Sequence, residues 1–472
     1  MATTYDLVII GAGSAGLSSA DFALRLGAKA ALVEKDRIGG DCTWSGCVPS
    51  KALLAAAATS ETLESAGAPP LSFSEAMARV DSARSNISAG ETPDVLTGKG
   101  VDVFIGAGRF LDPHTLEAGS DTLKGRNFLI STGAVPSIPP VPGLDSVRYL
   151  TYLELFELKE MPGRLVIMGG GPIGIEMAQA FARLGSRVTV VEMSERILPL
   201  EEPEASELIE ARLKSEGVTL LTGARAREVR ADDGGIVVDT GDVQAQGDAL
   251  LVATGRRDDT SGLGLDAAGV AVGDRGITVD RFLRTNQYHI FAAGDVTGSY
   301  QFTHFAGRQA VIATRNALLP GLQDASKSAM AWATFTDPEV ARVGMSEAQA
   351  REEHGGSIEV TLLPFSNIDR AVLAGKSEGF VKVVRRRSLL RGGLLGATVV
   401  GERAGELIHE WVLACNGKVS LGDLASVIHV YPSYSMANQQ AAIEIQAGKY
   451  LGGWKSRLIK NYMKASRWSR RG

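Results

Sequence analysis

Cys42 and Cys47 stand close together in the stretch Gly39-Gly40-Asp41-Cys42-Thr43-Trp44-Ser45-Gly46-Cys47-Val48-Pro49-Ser50-Lys51. On one continuous helix their Cα atoms would lie about 7.5 Å apart along the axis, beyond the usual reach of a disulfide, so any bridge between them bends the backbone. A strained local bridge is easily reduced, and a neighbouring cation such as Lys51, or a helix N-terminus, stabilises one of the thiols as its thiolate. The chemistry open to this pair is reversible thiol–disulfide exchange. The competing readings are two ordinary buried cysteines or half of a metal site, although the further ligands that zinc requires are missing nearby.

What must position such a pair is legible just before it. Leu7-Val8-Ile9-Ile10-Gly11-Ala12-Gly13-Ser14-Ala15-Gly16 reappears, at an offset of 158 residues, as Leu165-Val166-Ile167-Met168-Gly169-Gly170-Gly171-Pro172-Ile173-Gly174. Each copy reads as a β-strand entering a glycine turn, where missing side chains let backbone N–H groups approach a pyrophosphate at a helix N-terminus. Each is followed by a second strand that ends on an acid, Glu34 or Glu192, 18 residues after the last glycine of its motif. A carboxylate there accepts hydrogen bonds from a ribose. Two such modules imply two dinucleotides. Glu192 repels a 2′-phosphate and so favours NADH over NADPH, with Arg196 close enough in sequence to offset the preference.

Ser131-Thr132-Gly133-Ala134-Val135-Pro136 and Ala253-Thr254-Gly255-Arg256-Arg257 read as turns where the chain leaves one module for the next, or as ordinary surface loops. Ile290-Phe291-Ala292-Ala293-Gly294-Asp295-Val296 reads as a buried strand ending on a carboxylate, with Asp295 either binding the ribityl chain of a flavin or capping the next helix.

The 472 residues are enough for three or four folding units, and a 44% hydrophobic content supplies their cores. A net charge of −5 argues against nucleic acid as the main partner. Three cysteines in so long a chain suit a reducing compartment, and the cytoplasm is the expectation. The chain enters a strand at Tyr5 without a charged leader, and no apolar run is long enough to cross a bilayer. The C-terminal tail is basic, with Lys449, Lys455, Arg457, Lys460, Lys464, Arg467, Arg470 and Arg471 around Trp454, Leu458 and Trp468. It is read as a solvated end in preference to a contact with an anionic membrane surface.

Taken together, the Gly11 motif, the Cys42/Cys47 segment, the Thr132-Gly133 turn, the Gly169 motif, Gly294-Asp295 and Phe335-Thr336-Asp337-Pro338-Glu339-Val340-Ala341-Arg342-Val343-Gly344 resemble the pyridine nucleotide-disulfide oxidoreductases, a family that includes lipoamide dehydrogenase, glutathione reductase and mercuric reductase. The resemblance implies an α/β fold: two nucleotide-binding Rossmann-like domains plus a C-terminal α+β dimerisation domain. The expected divisions are an FAD-binding domain over 1–148 with the cysteine pair, an NAD(P)-binding domain over 149–270, a return segment to the FAD domain over 271–330, and an interface domain over 331–472 of a homodimer. It further implies that FAD is held by Gly11, Gly13, Ser14, Ala15, Gly16, Glu34, Lys35, Gly40, Asp41, Cys42, Lys51, Thr132, Gly133, Gly294 and Asp295. NAD(P)H falls to Gly169, Gly171, Pro172, Ile173, Gly174, Glu192 and Gly255. By the same resemblance Cys47 is the flavin-side thiol, Cys42 exchanges with substrate, and Lys51 is paired with Glu176 near the flavin.

One departure matters. Where lipoamide dehydrogenase and glutathione reductase carry His-Pro-Thr-x-x-Glu, this chain reads Tyr431-Pro432-Ser433-Tyr434-Ser435-Met436, so both halves of the proton-relay dyad are gone. An unperturbed tyrosine, with a pKa of about 10, is a poor base near neutrality. Mercuric reductases also lack the dyad, and with its Gly-Gly-Asp-Cys turn the chain is placed on a mercuric reductase-like branch. The C-terminal vicinal cysteines of that enzyme are absent, since no cysteine follows Cys415. Tyr431 or His429 stands as a replacement base. Cys415 reads as helix packing, and Trp44, Tyr431, Tyr434 and Met436 as an apolar acceptor pocket or as core or dimer-interface packing. Pro172 stands where glutathione reductase has a gating tyrosine. The expected activity passes electrons from NAD(P)H through FAD and the Cys42–Cys47 pair to a soft metal ion, a disulfide such as lipoamide, or a quinone. A low-turnover redox sensor is the alternative from another class.

Overall fold

The computed structural model describes residues 4–387, 393–451, 457–458 and 461–466. The chain forms two compact units. One takes in Met1–Pro199 with Arg212–Lys327, the other Leu200–Ala211 with Ser328–Gly472.

In the first unit β1 (Thr4–Ile10) is buried from Leu7 to Ile10 on both faces, as a strand at the centre of a parallel sheet must be. It pairs in parallel with β2 (Ala30–Glu34) on one side, Leu7 opposite Ala30, and with the Asp121–Ile130 strand on the other, Ile10 opposite Ile130. Asp102–Ile105 extends the sheet beyond β2. Ile290–Ala292 returns after the second module to pair with Asp121–Ile130, and an antiparallel meander of Gly108–Asp112 and Thr115–Ala118 joins the near end of that strand. The second module repeats the plan with four parallel strands in the order Thr219–Leu221, Arg187–Val191, Arg164–Met168, Ala249–Val252. In both sheets the first strand of the module lies where strand order reverses, the crevice in which open α/β sheets bind ligands. The return strand stops at Ala292, short of the expected end, because Gly294 takes φ +79° and Asp295 opens a short 3₁₀ turn.

α1 (Ser14–Arg25) follows the first glycine turn. α2 (Gly40–Trp44) and α3 (Cys47–Ser65) carry the cysteine pair.

The second unit is a five-stranded antiparallel sheet, in the order Ala331–Thr334, Glu339–Gly344, Leu394–Gly401, Phe380–Arg386, Ile358–Pro364. Helices Ala404–Cys415 and Met436–Leu451 contribute to a core centred on fully buried Trp411, whose indole N–H donates to Asn438 Oδ1 at 2.6 Å. Tyr434 is part of this core, stacked on Phe365, and half-buried Cys415 packs against it. Burial in apolar surroundings pushes the Cys415 thiol up to about 12, as suits a packing residue. Of the tail residues named above, Arg457, Leu458 and Lys464 have described side chains, all exposed; the side chains of Lys449, Trp454, Lys455, Lys460, Arg467, Trp468, Arg470 and Arg471 lie outside the described residues. Among the described residues no helix is long and apolar enough to cross a membrane.

Candidate active site

The bend demanded by the cysteine spacing falls at Ser45-Gly46. α2 ends at Trp44, Gly46 leaves helical geometry at φ −122°, ψ −113°, and α3 starts again at Cys47. A Cβ on Gly46 would stand 2.8 Å from the Asp41 carbonyl oxygen, so the tight turn requires glycine there. The break places the two sulfurs, both free cysteines, close enough to act on each other's protonation. Cys47 Sγ lies 3.2 Å from Thr303 Oγ1. Its pKa is lowered to about 6 by the hydrogen bond from Cys42, and by Thr303 and the Lys51 charge, against the opposing effect of burial. Cys42 moves the other way: donating to Cys47, burial and repulsion by the Cys47 thiolate all hold its proton on. One thiolate and one thiol is the arrangement that a reduced pair needs for exchange.

Lys51, one turn along α3 from Cys47, is fixed by Glu176 of the Pro172–Arg183 helix, its Nζ donating at 2.8 and 3.1 Å to the two carboxylate oxygens. Glu176 is nearly inaccessible, with a side-chain exposure of 5%. A buried carboxylate that accepts through both oxygens fixes the position of the lysine head near Cys47, so this is no loose surface pair.

The two glycine turns are alike in detail. Gly11 and Gly169 take φ +96° and +114°, and a Cβ on Gly16 or Gly174 would fall 1.9 or 2.0 Å from the carbonyl oxygen of Gly11 or Gly169. The middle glycines, Gly13 and Gly171, are N-caps with no side-chain cap, whereas helices elsewhere begin on Ser72, Thr151 and Ser346 with full capping boxes. Each bare helix start leaves backbone N–H groups facing outward. Glu34 accepts from the N–H of Ala12 at 2.7 Å and of Asp36 at 2.9 Å. Glu192 accepts from Gly170 at 2.6 Å and Ser194 at 2.7 Å. With one bond on each oxygen, each carboxylate is oriented and keeps lone pairs for ribose hydroxyls.

The first module is tied to the thiols directly. The Gly39 N–H donates to Ala12 O at 2.9 Å, Gly40 at φ +58° packs onto Gly13, and Ser14 lines the same cavity as Cys42. Thr132 Oγ1 is buried without a protein partner beside Gly133, a hydrogen-bonding atom left for a bound group. Gly294 is held to Gln309 Oε1 at 2.8 Å, and Gly255 takes φ +120°. Pro172 is the first residue of its helix, a position that proline favours, with Ile173 exposed beside it. Lys35 is exposed at the end of β2. These donors, bare glycine turns and the orphaned hydroxyl fit a flavin dinucleotide in the first module and a nicotinamide dinucleotide in the second.

Two residues of the site escaped sequence reasoning, Thr303 beside the Cys47 sulfur and Arg256. Arg256, read only as part of a turn, donates to Asp295 at 2.6 Å, forms a short ion pair with Asp41, and lies near the Tyr152 hydroxyl, which itself donates to Asp41 at 3.0 Å. The signal was Asp41 itself, because a carboxylate at a turn built for an anionic pyrophosphate needs a cation. Trp44, considered for an acceptor pocket, instead donates its indole N–H to Ile38 O at 2.7 Å beneath the Arg37 guanidinium.

A cavity of about 700 Å³ opens against Cys42, lined also by Leu17, Val48, Ile87 and Val311 and by Thr303. Cys47 is not among its lining residues; it is exposed outside this cavity, while Cys42 is half-buried. In the second unit, Tyr431 donates its phenol O–H to Asp369 at 2.8 Å, which raises the tyrosine pKa and leaves still less phenolate to take up a proton near neutrality. His429 has Nδ1 3.1 Å from Val427 O and Nε2 3.2 Å from Glu410 Oε2, so both ring nitrogens are engaged. Met436 is half-buried at the start of its helix.

Residues 5–310 match the pyridine nucleotide-disulphide oxidoreductase family model, and residues 330–442 match the dimerisation domain of the same family. The chain belongs to this family. It is an enzyme that uses FAD and NAD(P)H. Mercuric reductase of Streptomyces lividans is 37% identical over 458 residues, covering 93% of this chain and 96% of that protein. Dihydrolipoyl dehydrogenase of Bacillus subtilis is 33% identical over 473 residues, covering 94% and 98%. Among solved structures, the HOCl-induced flavoprotein disulfide reductase RclA of Escherichia coli is 30% identical with a TM-score of 0.85, covering 93% of this chain and 99% of its own. LpdA of Mycobacterium tuberculosis is 32% identical with a TM-score of 0.86, covering 94% and 99%.

Proposed function

We propose that the protein is a mercuric reductase-like NAD(P)H-dependent oxidoreductase that hands electrons, through FAD and the Cys42–Cys47 pair, to a thiol-reactive acceptor entering at Cys42. The observation that carries this is the division of the pair: Cys42 lines the cavity, while Cys47 is the stabilised thiolate beside Thr303 and the Lys51–Glu176 pair. FAD, when bound, supplies the two-electron step between nicotinamide and thiols.

In this reading Glu34, Thr132, Gly133 and the bare start of α1 hold the flavin dinucleotide, with Gly294 and Asp295 beside them. Arg256 offsets the charge that Asp41 and Asp295 bring to the same place. Glu192 and the Gly169 turn hold the nicotinamide coenzyme. Glu192 disfavours a 2′-phosphate, and Arg196 donates to Pro199 O at 3.1 Å, which supports NADH as the preferred donor. The dimerisation-domain match supports a homodimer. Of the two replacement bases, Tyr431 is weakened by Asp369 and His429 has both nitrogens taken, which favours acceptors that need no base from that segment.

Stopped-flow reduction with NADH should give the native protein a long-wavelength thiolate–flavin band, and Cys47→Ser should lose it together with acceptor turnover. Survival of both in Cys47→Ser would refute the relay.

A further inference from the structure

The wall of the Cys42 cavity holds a group that the relay as described leaves idle. Along the Thr303–Leu318 helix, His304 and Arg308 stand one turn apart and both line the cavity with Cys42, as does Glu91, whose carboxylate accepts the Thr43 hydroxyl at 3.2 Å. Side chains four positions apart share a helix face, so the imidazole and guanidinium sit one above the other on that wall. The His304 ring is exposed and stacked on Phe302, their centroids 5.7 Å apart, and its neighbour Thr303 touches the Cys47 sulfur.

Exchange at Cys42 needs what an imidazole provides. Cys42 carries the proton of the pair while Cys47 carries the charge, so Cys42 attacks only after its proton is taken. An alkyl thiolate of high pKa leaves slowly unless it is given one. We propose that His304 is the proton-transfer residue of this cavity, taking the Cys42 proton as that sulfur attacks a small aliphatic disulfide and returning it to the thiol that leaves.

The step balances as follows. The substrate S–S bond breaks as a Cys42–substrate S–S bond forms, and the first thiol departs with the proton from His304. The Cys47 thiolate then attacks Cys42 sulfur, restoring the Cys42–Cys47 disulfide, and the second thiolate takes a solvent proton. The dithiol loses two electrons and the substrate disulfide gains two. This deepens the relay reading by naming the acceptor class, and it rests on Cys42 being the acceptor-side thiol.

The test compares two neutral disulfides with the same holoenzyme: hydroxyethyl disulfide, whose leaving thiolate needs a proton, and dithiodipyridine, whose thiolate leaves without one. In His304→Gln the ratio of kcat/KM for the first over the second should fall about ten-fold or more, toward the 10²–10⁴ that general acid–base catalysis contributes. A smaller change in that ratio overturns the proposal, as does a native enzyme that forms its thiolate band yet turns over neither disulfide. Because the ratio is taken within one preparation, partial loss of folded protein leaves it unmoved. Absence of the thiolate band in the native enzyme would bring down the relay itself, a result distinct from the other two.

Discussion

At the scale of single residues, the asymmetry between two chemically identical thiols comes from their neighbours. Cys47 receives a hydrogen bond from Cys42, lies 3.2 Å from the Thr303 hydroxyl and feels the Lys51 ammonium, and each of these favours its anion. A group whose pKa is lowered to about 6 is a thiolate above that pH and a thiol below it. In the two-electron-reduced enzyme the thiolate–flavin band should therefore grow as pH rises through about 6 and fade in acid. Lys51→Met or Thr303→Val removes one of these influences, and each should move the midpoint upward by about one pH unit, the equivalent of about 1.4 kcal/mol. Spectrophotometric titration measures it, and a midpoint that does not move would show that Cys42 alone sets the Cys47 charge. The cysteine pair was legible because its chemistry depends on spacing along the chain. Arg256 was not, since the Asp41 and Asp295 that it joins lie far apart in sequence and meet only after folding.

At the scale of elements, the duplicated strand–turn–helix module was readable for a local reason: glycines at fixed positions and an acid at the end of the next strand are set by the geometry of one turn. In the proposed function the two copies serve different ligands, and matched substitutions test that assignment. A Cβ at Gly16 or Gly174 meets a carbonyl oxygen at 1.9 or 2.0 Å and must push helix and strand apart. Gly16→Ala should yield protein largely without bound flavin, read from the ratio of visible to ultraviolet absorbance. Gly174→Ala should stay yellow while its KM for NADH rises about ten-fold, about 1.4 kcal/mol of binding. The return strand was read too long, because an apolar run does not reveal where a glycine at positive φ will end the pairing.

At the scale of the whole molecule, the second unit holds a charge cluster that no pattern announced. Lys382, with 2% side-chain exposure, donates to Glu202 at 3.0 Å and Glu204 at 2.8 Å and pairs with Glu347 at 2.8 Å. Glu202 and Glu204 come from the Leu200–Ala211 segment, which joins this unit from far back in the chain. Removing one partner of a buried ion pair strands the others, typically at about 3–5 kcal/mol. Lys382→Met should accordingly lower Tm by roughly 10 °C in calorimetry. An unchanged Tm would show that the carboxylates are hydrated or protonated without the lysine.

From the sequence alone came the dithiol and the two dinucleotide modules with their acids, properties of spacing within a few dozen residues, and, through the family resemblance, the α/β architecture and the missing histidine dyad. The tertiary structure decided what neither spacing nor resemblance had named: that Thr303 meets the Cys47 sulfur, that Arg256 joins Asp41 to Asp295, and that His304 shares a cavity with Cys42. These turn on distances between groups remote along the chain. Such distances, and the burial that sets the strength of a charge, exist only once the sheets and helices have packed.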